Sequence, residues 1–324
     1  MKYLDLFTNT PHAVNCSQFA LGCDHYGLKV PEEEAFRIMD AFYEQGGTLL
    51  DTAHIYGQLE DGGVSLSEQT VGKWVAKNRL HGKVVISDKG AHPNRNDKKI
   101  SRIDEKNIQL DLFSSLEALQ SDYVDIWFLH RDNPEMPVGE IVDIVSSFAD
   151  KGYIKHLGVS NWPVSRIAEA VAYAQKHGRH PFDISQIQWS LAVSTPASWE
   201  DATIVCMDDA QLPWYETNQF PVMAFSPQGR GIFSKAIEHG TESVDEKTRK
   251  RFLLEQNMGR IERCRKLCDR DGINPAGICL AYLTSAPFPT IPVLGFSSHT
   301  QVKDSLQFSN LTISEDDRAY LVQG

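Results

Sequence analysis

The 324-residue sequence predicts an α/β fold, a (β/α)8 TIM barrel, and three observations lead there. Short runs rich in β-branched and aromatic residues alternate with amphipathic helical segments, the pattern of a parallel sheet wrapped in helices. Eight such runs can be picked out, at 17–22, 48–51, 84–89, 125–130, 156–160, 185–189, 222–226 and 290–293. A doubly wound open sheet usually stops short of eight strands, whereas eight close a barrel. Polar side chains also gather where these runs end: Asp51, Lys89, His130, Ser160-Asn161, Gln186 and, next to Phe225, Ser226. That is the face on which such barrels carry their chemistry.

The elements follow in order. Residues 1–15 lie outside the strand count and read as a short N-terminal arm or hairpin. The first helix has Pro31 in its opening turn, Glu32, Glu33 and Glu34 against its positive end, and Gly46-Gly47 as a stop. Ala35, Ile38, Met39 and Phe42 fall on one stripe of it. Another helix is expected to start at Ser101, with Asp104 as capping-box partner and Ile108, Leu112, Leu116 and Leu119 on the buried face. Residues 190–219 and 233–252 exceed ordinary connections and read as long loops with helical pieces over the C-terminal face. No linker composition or internal repeat interrupts the series, so 1–324 reads as one domain.

A formal charge of -11 argues against nucleic acid or an anionic membrane surface as partner, since both call for basic patches. No apolar run reaches the roughly 18 residues of a membrane helix, and the first ten residues lack a signal-type apolar core. A cytoplasmic location is expected, and six scattered cysteines suit a reducing compartment. Cys264 and Cys268 share a helical face without a second ligand pair, so they read as half-buried thiols and no metal is expected.

Asp51, Tyr56, Lys89 and His130 make chemical sense as a set. A tyrosine is a weak acid, with an ordinary pKa of about 10, and a neighbouring ammonium is expected to lower it. A buried lysine needs a carboxylate, which Asp51 supplies. His130 can orient a carbonyl or relay a proton.

Leu50-Asp51-Thr52-Ala53-His54-Ile55-Tyr56-Gly57 resembles the D-T-A-x-x-Y-G signature of the aldo-keto reductase superfamily. Ser87-Asp88-Lys89, Phe128-Leu129-His130-Arg131 and Gly158-Val159-Ser160-Asn161-Trp162 resemble its next motifs in order. Gln186-Ile187-Gln188-Trp189-Ser190, Ala224-Phe225-Ser226-Pro227 and Ile291-Pro292-Val293-Leu294-Gly295-Phe296 complete the series. The resemblance implies a nicotinamide-dependent oxidoreductase interconverting an aldehyde, ketone or sugar carbonyl with its alcohol. It makes Tyr56 the general acid, tuned by Lys89 and Asp51, with His130 placing the carbonyl.

For the cofactor the resemblance implies Cys23, Asp51 and Tyr56 among the binding residues, with Ser160, Asn161 and Gln186 on the nicotinamide carboxamide. Phe225 stands where the family stacks a tyrosine or tryptophan. Ser226, Pro227, Gln228, Gly229 and Gly231 would form a loop over the pyrophosphate. Gly295, Ser297, Gln301, Asp304 and Ser305 fall at the adenosine end. That segment has no arginine for a 2′-phosphate, so Ser297, His299, Arg249 or Arg251 would have to serve. Family habit favours NADP(H), with NAD(H) possible. Trp162, Trp189 and Arg131 are candidate substrate-pocket residues.

Competing readings fail on residues. His130-Arg131-Asp132 has Pro137 where a kinase loop needs asparagine, and Gly229-Arg230-Gly231 lacks the third glycine of a Rossmann fingerprint. A metal-dependent hydrolase would need His or Asp ligands on several strand ends; only Asp51 and His130 qualify, and Lys89 would repel the cation. A cofactor-binding, redox-sensing accessory subunit with little turnover stays open as the alternative.

Overall fold

The protein is described by a computed structural model covering residues 1–97 and 100–323. A hairpin comes first, β1 (Tyr3–Leu6) antiparallel to β2 (Val14–Ser17). Then come β3 (Ala20–Gly22), α1 (Glu32–Glu44), β4 (Leu49–Asp51), α2 (Leu66–Asn78), β5 (Val85–Gly90), α3 (Glu105–Leu119) and β6 (Val124–Leu129). The chain continues through α4 (Val138–Asp150), β7 (Ile154–Ser160), α5 (Val164–His177) and β8 (Phe182–Gln188). After α6 (Pro196–Trp199), α7 (Leu212–Asn218) and β9 (Val222–Phe225) follow α8 (Ile232–His239), α9 (Glu246–Phe252), α10 (Glu255–Asp271) and α11 (Pro275–Thr284). The last elements are β10 (Thr290–Leu294), α12 (His299–Leu306) and α13 (Glu315–Val322). Strands β3 to β10 close a parallel barrel in which β10 pairs with both β3 and β9.

All eight runs expected from the sequence are barrel strands, and residues 1–17 hold the expected hairpin. The first run needs correction at its start. Ser17 ends β2, and its hydroxyl accepts from the Thr48 and Leu49 amides, stitching hairpin to barrel. Helix α1 keeps its expected bounds and buried stripe, and Gly46 beyond it takes the left-handed φ of +85° that favours glycine. Helix α3 starts a turn later than expected. Asp104, extended, is its N-cap and accepts from the Asn107 amide at 2.9 Å, while Ser101 turns to the Ile103 amide.

The barrel interior is filled below the polar face by Leu49, Ile126, Phe128, Ile184, Met223, Ile291 and Val293. Leu6, Val14 and Cys16 of the hairpin complete this cluster. Near the same end, Phe7 stacks on His156 at 4.0 Å, and the His156 ring nitrogens meet Asp183 and the His12 carbonyl. The N-terminal end of the barrel is thereby plugged, and the opposite mouth is left for chemistry. Phe128 occupies the space that a side chain at position 158 would take. A Cβ on Gly158 would lie 2.4 Å from its ring. Gly158→Ala should therefore cost about 1–3 kcal/mol of stability by overpacking. Urea denaturation checks this, and an unchanged midpoint would show that the Phe128 ring can yield.

Candidate active site

Register and alternation build the site. Asp51 ends β4 opposite Ser87 of β5, and the two-residue period points Ser87 and Lys89 inward with Asp88 outward. Lys89 is fully buried, and its ammonium donates to Asp51 Oδ2 and to the Thr52 carbonyl, each at 2.7 Å. The other Asp51 oxygen accepts from Ser87 Oγ and Gln186 Nε2, both at 2.8 Å. The carboxylate is thus held by three donors, two from the neighbouring strand β5 and one from β8 across the barrel.

Tyr56 stands above this pair with the Lys89 nitrogen 4.9 Å from its ring centroid. The loop that carries it is tied down. Ser65, the N-cap of α2, donates to the Ala53 and Tyr56 carbonyls, and Arg95 donates to those of Ile55 and Gln58. Burial pulls the Lys89 ammonium down, but Asp51 and Tyr56 outweigh it, so its pKa stands above the ordinary lysine value. For Tyr56 the balance overturns the expectation of a lowered pKa. Burial pushes the phenol up to about 12, Lys89 pulls against it, and Asp51 adds to the rise. The lysine moderates the phenol's weakness as an acid without making it a phenolate.

His130, just past β6, meets Tyr56 edge-on at 5.7 Å and His92 at 4.7 Å. Burial first, then His92, Arg131 and Lys89, hold it well below the ordinary histidine value, so the imidazole is neutral. Its Nδ1 has no hydrogen-bond partner among the described residues. A neutral ring beside a phenol can donate to or accept from a small polar group at the mouth.

The structure brings most of the other expected residues to the same end. Ser160 and Gln186 are register partners at the tops of β7 and β8. Asn161, in a left-handed conformation, donates to Ser160 Oγ and accepts from the Val205 amide. Cys23 is buried beyond β3 and its amide donates to the Asp51 carbonyl. Arg131 lies at the rim, donating to Thr203 Oγ1 and the His130 carbonyl. Phe225 keeps one edge against Trp199 of α6, whose ring carries the Arg251 guanidinium 4.1 Å away.

Trp162 and Trp189 are corrections. Both are buried, Trp162 against Phe182 and Arg166 with its Nε1 donating to the Arg131 carbonyl, and Trp189 stacked on Phe288. The barrel rim needed large apolar wedges between sheet and helices, and these rings supply them.

Beyond Phe225 the chain turns sharply through Ser226, Gly229, Arg230 and Gly231, all with positive φ, with Pro227 buried between. Gln228 and Gly231 line a cleft of about 290 Å³ with Phe233, Ser234, Cys279, Gly295, Gln301 and Ser305. A Cβ on Gly231 or Gly295 would meet nothing within 4 Å, so both glycines leave room there. At the far end Gln301 accepts from Ser297, and Glu34 of α1 accepts from the His299 amide and ring, each at 2.8 Å. Asp304 is exposed on α12, outside the cleft lining. Arg249 donates to the Glu242 and Val244 carbonyls.

Two participants escaped the sequence reading. Ser87 was legible in principle, since it alternates with Lys89. His92 comes from the loop after β5, and nothing in its neighbours marks it.

The barrel and its mouth define a class. The family model described as the Aldo/keto reductase family matches residues 19–323, so the chain belongs to that family and is an NAD(P)-dependent oxidoreductase. It is 26% identical over 302 residues to the aryl-alcohol dehydrogenase GME11368 of Pestalotiopsis microspora, covering 90% of this chain and 73% of that one. It is 27% identical over 307 residues to the uncharacterized oxidoreductase YrpG of Bacillus subtilis, covering 93% and 89%. Among solved structures, the thermostable aldo-keto reductase Tm1743, in complex with the inhibitor epalrestat, superposes with a TM-score of 0.72. The identity is 22% and the coverage 99% of each chain, a likeness of fold. No helix among the described residues is long and apolar enough to cross a membrane.

Removing the ammonium should be felt in stability as well as chemistry. Lys89→Met leaves Asp51 buried without its cation and should cost about 3–5 kcal/mol in urea denaturation. Adding Asp51→Asn to that variant should recover part of the loss. An Asp51→Asn, Lys89→Met double variant no more stable than Lys89→Met would contradict the pairing.

Proposed function

We propose that the chain reduces an aldehyde or ketone, or in reverse oxidises an alcohol or sugar hydroxyl, with Tyr56 as proton donor. The observation that carries this is the buried Lys89, held between Asp51 and the Tyr56 phenol, with a neutral His130 edge-on to that phenol. The nicotinamide cofactor, when bound, supplies the hydride. The glycine-walled cleft beyond Phe225 fits its phosphates and adenosine. Gln228, Gly229 and Gly231 would hold the pyrophosphate, Ser160 and Asn161 the carboxamide, and Phe225 a ring face. Gln186, anchored by its amide nitrogen on Asp51, would offer its oxygen.

The residues divide the work. His130 holds the carbonyl oxygen by hydrogen bonding, and Arg131 bounds the pocket on the polar side. Tyr56 delivers its proton to that oxygen as the carbonyl carbon becomes an alcohol carbon. Lys89 stabilises the phenolate left behind. Asp51 keeps Lys89 charged, and solvent returns the proton. An aromatic aldehyde is the first substrate to test, because a relative is named for aryl alcohols.

The choice between NADP(H) and NAD(H) falls at the N-terminus of α12. A 2′-phosphate there would face the Glu34 carboxylate, which supports binding of NAD(H) at least as well as NADP(H). Relatives named for oxidoreductase activity do not favour the accessory-subunit reading.

Tyr56→Phe should lower reduction of an aromatic aldehyde by about 10²–10⁴-fold. Cofactor affinity, read by quenching of tryptophan fluorescence, should stay within a few-fold, and retained turnover would remove the assigned role. Because the phenol is pushed up to about 12, reduction needs a form that persists through neutral pH. Tyr56 itself should then cause no fall in reduction rate until strongly alkaline pH. The reverse oxidation, which needs the phenolate, should gain rate as pH rises.

A further inference from the structure

Behind Lys89, on the outer face of β5, lies a set of ionisable groups that carbonyl reduction does not use. Asp88 points there by strand alternation, and Glu68 of α2 reaches it; both are completely buried. Their carboxyl groups lie within hydrogen-bonding reach of each other. Ser115 of α3 donates to Glu68 Oε1 at 2.8 Å. Glu68 Oε2 and both Asp88 oxygens have no hydrogen bond of ordinary geometry among the described residues.

Among the described residues, no lysine or arginine forms an ion pair with either carboxylate. The Lys89 ammonium is turned inward to Asp51, at 2.7 Å. Arg102 is committed to Asp111 of α3 through both terminal nitrogens, at 2.8 and 2.5 Å. His54 sits with Nδ1 3.9 Å from Glu68 Oε2 and Nε2 3.5 Å from Asp111 Oδ1. Burial holds its pKa below the ordinary value despite Asp111, so it is neutral. Two buried carboxylates in contact cannot both stay ionised under those conditions, whereas one proton between them removes a charge and makes a hydrogen bond. Burial and mutual proximity push Glu68 well above the usual carboxylate range, and burial raises Asp88 as well.

We propose that Glu68 and Asp88 hold one shared proton at neutral pH, and that this pair is a positioning element that keeps Lys89 under Tyr56. The positioning half rests on the carbonyl-reductase reading. Asp88 and Lys89 are consecutive on β5, and the His54 amide donates to the Lys89 carbonyl at 2.9 Å. The strand carrying Lys89 and the loop carrying Tyr56 are therefore joined through His54, whose ring faces Glu68. Loss of the shared proton would set two like charges against each other between β5 and α2. It would also add an anion beside Lys89, weakening Tyr56 as an acid.

The test combines infrared spectroscopy with pH profiles of the intact chain. At neutral pH the wild type should show the carbonyl stretch of a buried protonated carboxylic acid, shifted in heavy water and absent from Asp88→Asn and Glu68→Gln. Those variants keep a donor between the two groups, so kcat for an aromatic aldehyde should stay within about threefold of wild type. The wild-type reduction rate should fall at a pH well below the ionisation of the phenol, and both variants should lose that fall. Asp88→Ala, which has no such donor, should lower kcat by about tenfold or more, with fluorescence-measured cofactor affinity unchanged.

Absence of the band in the wild type overturns the shared proton, whatever the variants do. The same alkaline fall in Asp88→Asn as in wild type, or an unchanged kcat in Asp88→Ala, overturns the positioning role. A clear band without reduction of any carbonyl overturns the assigned reaction and the positioning with it, leaving the shared proton standing.

Discussion

The buried ion pair between Lys89 and Asp51 is the constraint on which the rest of the site depends. An ammonium with no solvent exposure is tolerated only because a carboxylate and a backbone carbonyl receive it. That carboxylate is in turn held by Ser87 and Gln186, so strands β4, β5 and β8 must keep their register for the charge to survive. Met223 lies beneath, its sulfur 3.9 Å from Ser87 Oγ and 3.8 Å from Gln186 Nε2, and closes the pair off from the apolar interior. The polar site and the hydrophobic barrel core are therefore one packing problem.

The two ends of the barrel solve opposite problems. At the N-terminal end the hairpin and the His156 contacts fill space and satisfy polar atoms. At the other end the chain spends residues on loops, and α6 and α9 pack together across the mouth through Trp199, Phe252 and Arg251. Phe225 sits against that contact, so the ring facing the mouth is fixed by two loops distant in sequence.

Much of this was legible in the sequence, for identifiable reasons. Alternation of strand and helix patterns revealed the barrel because the barrel strands are buried on both faces and most of the helices around them, such as α1 and α4, on one. Asp51, Tyr56, Lys89 and His130 stood out because they fall at strand ends or in the loop just beyond one. Side-chain direction in the helix layer was not legible. Trp162 and Trp189 follow the same strand ends, yet they are buried in packing that depends on Phe182 and Phe288, residues further along the chain. The rise of the Tyr56 pKa was missed for a similar reason. A charge beside the phenol can be read from a motif, but the burial that outweighs it belongs to the folded mouth.

The most direct measurement follows a label. Reduction of benzaldehyde by a nicotinamide cofactor carrying deuterium at C4 of the dihydropyridine, on the face that reacts, should place that deuterium on the carbinol carbon of the product. The alcohol hydroxyl should take its hydrogen from the medium. Deuterium at the carbinol carbon would establish the proposed direct hydride transfer. Benzyl alcohol without the label would contradict it, as would label retained by the oxidised cofactor from both faces in turn.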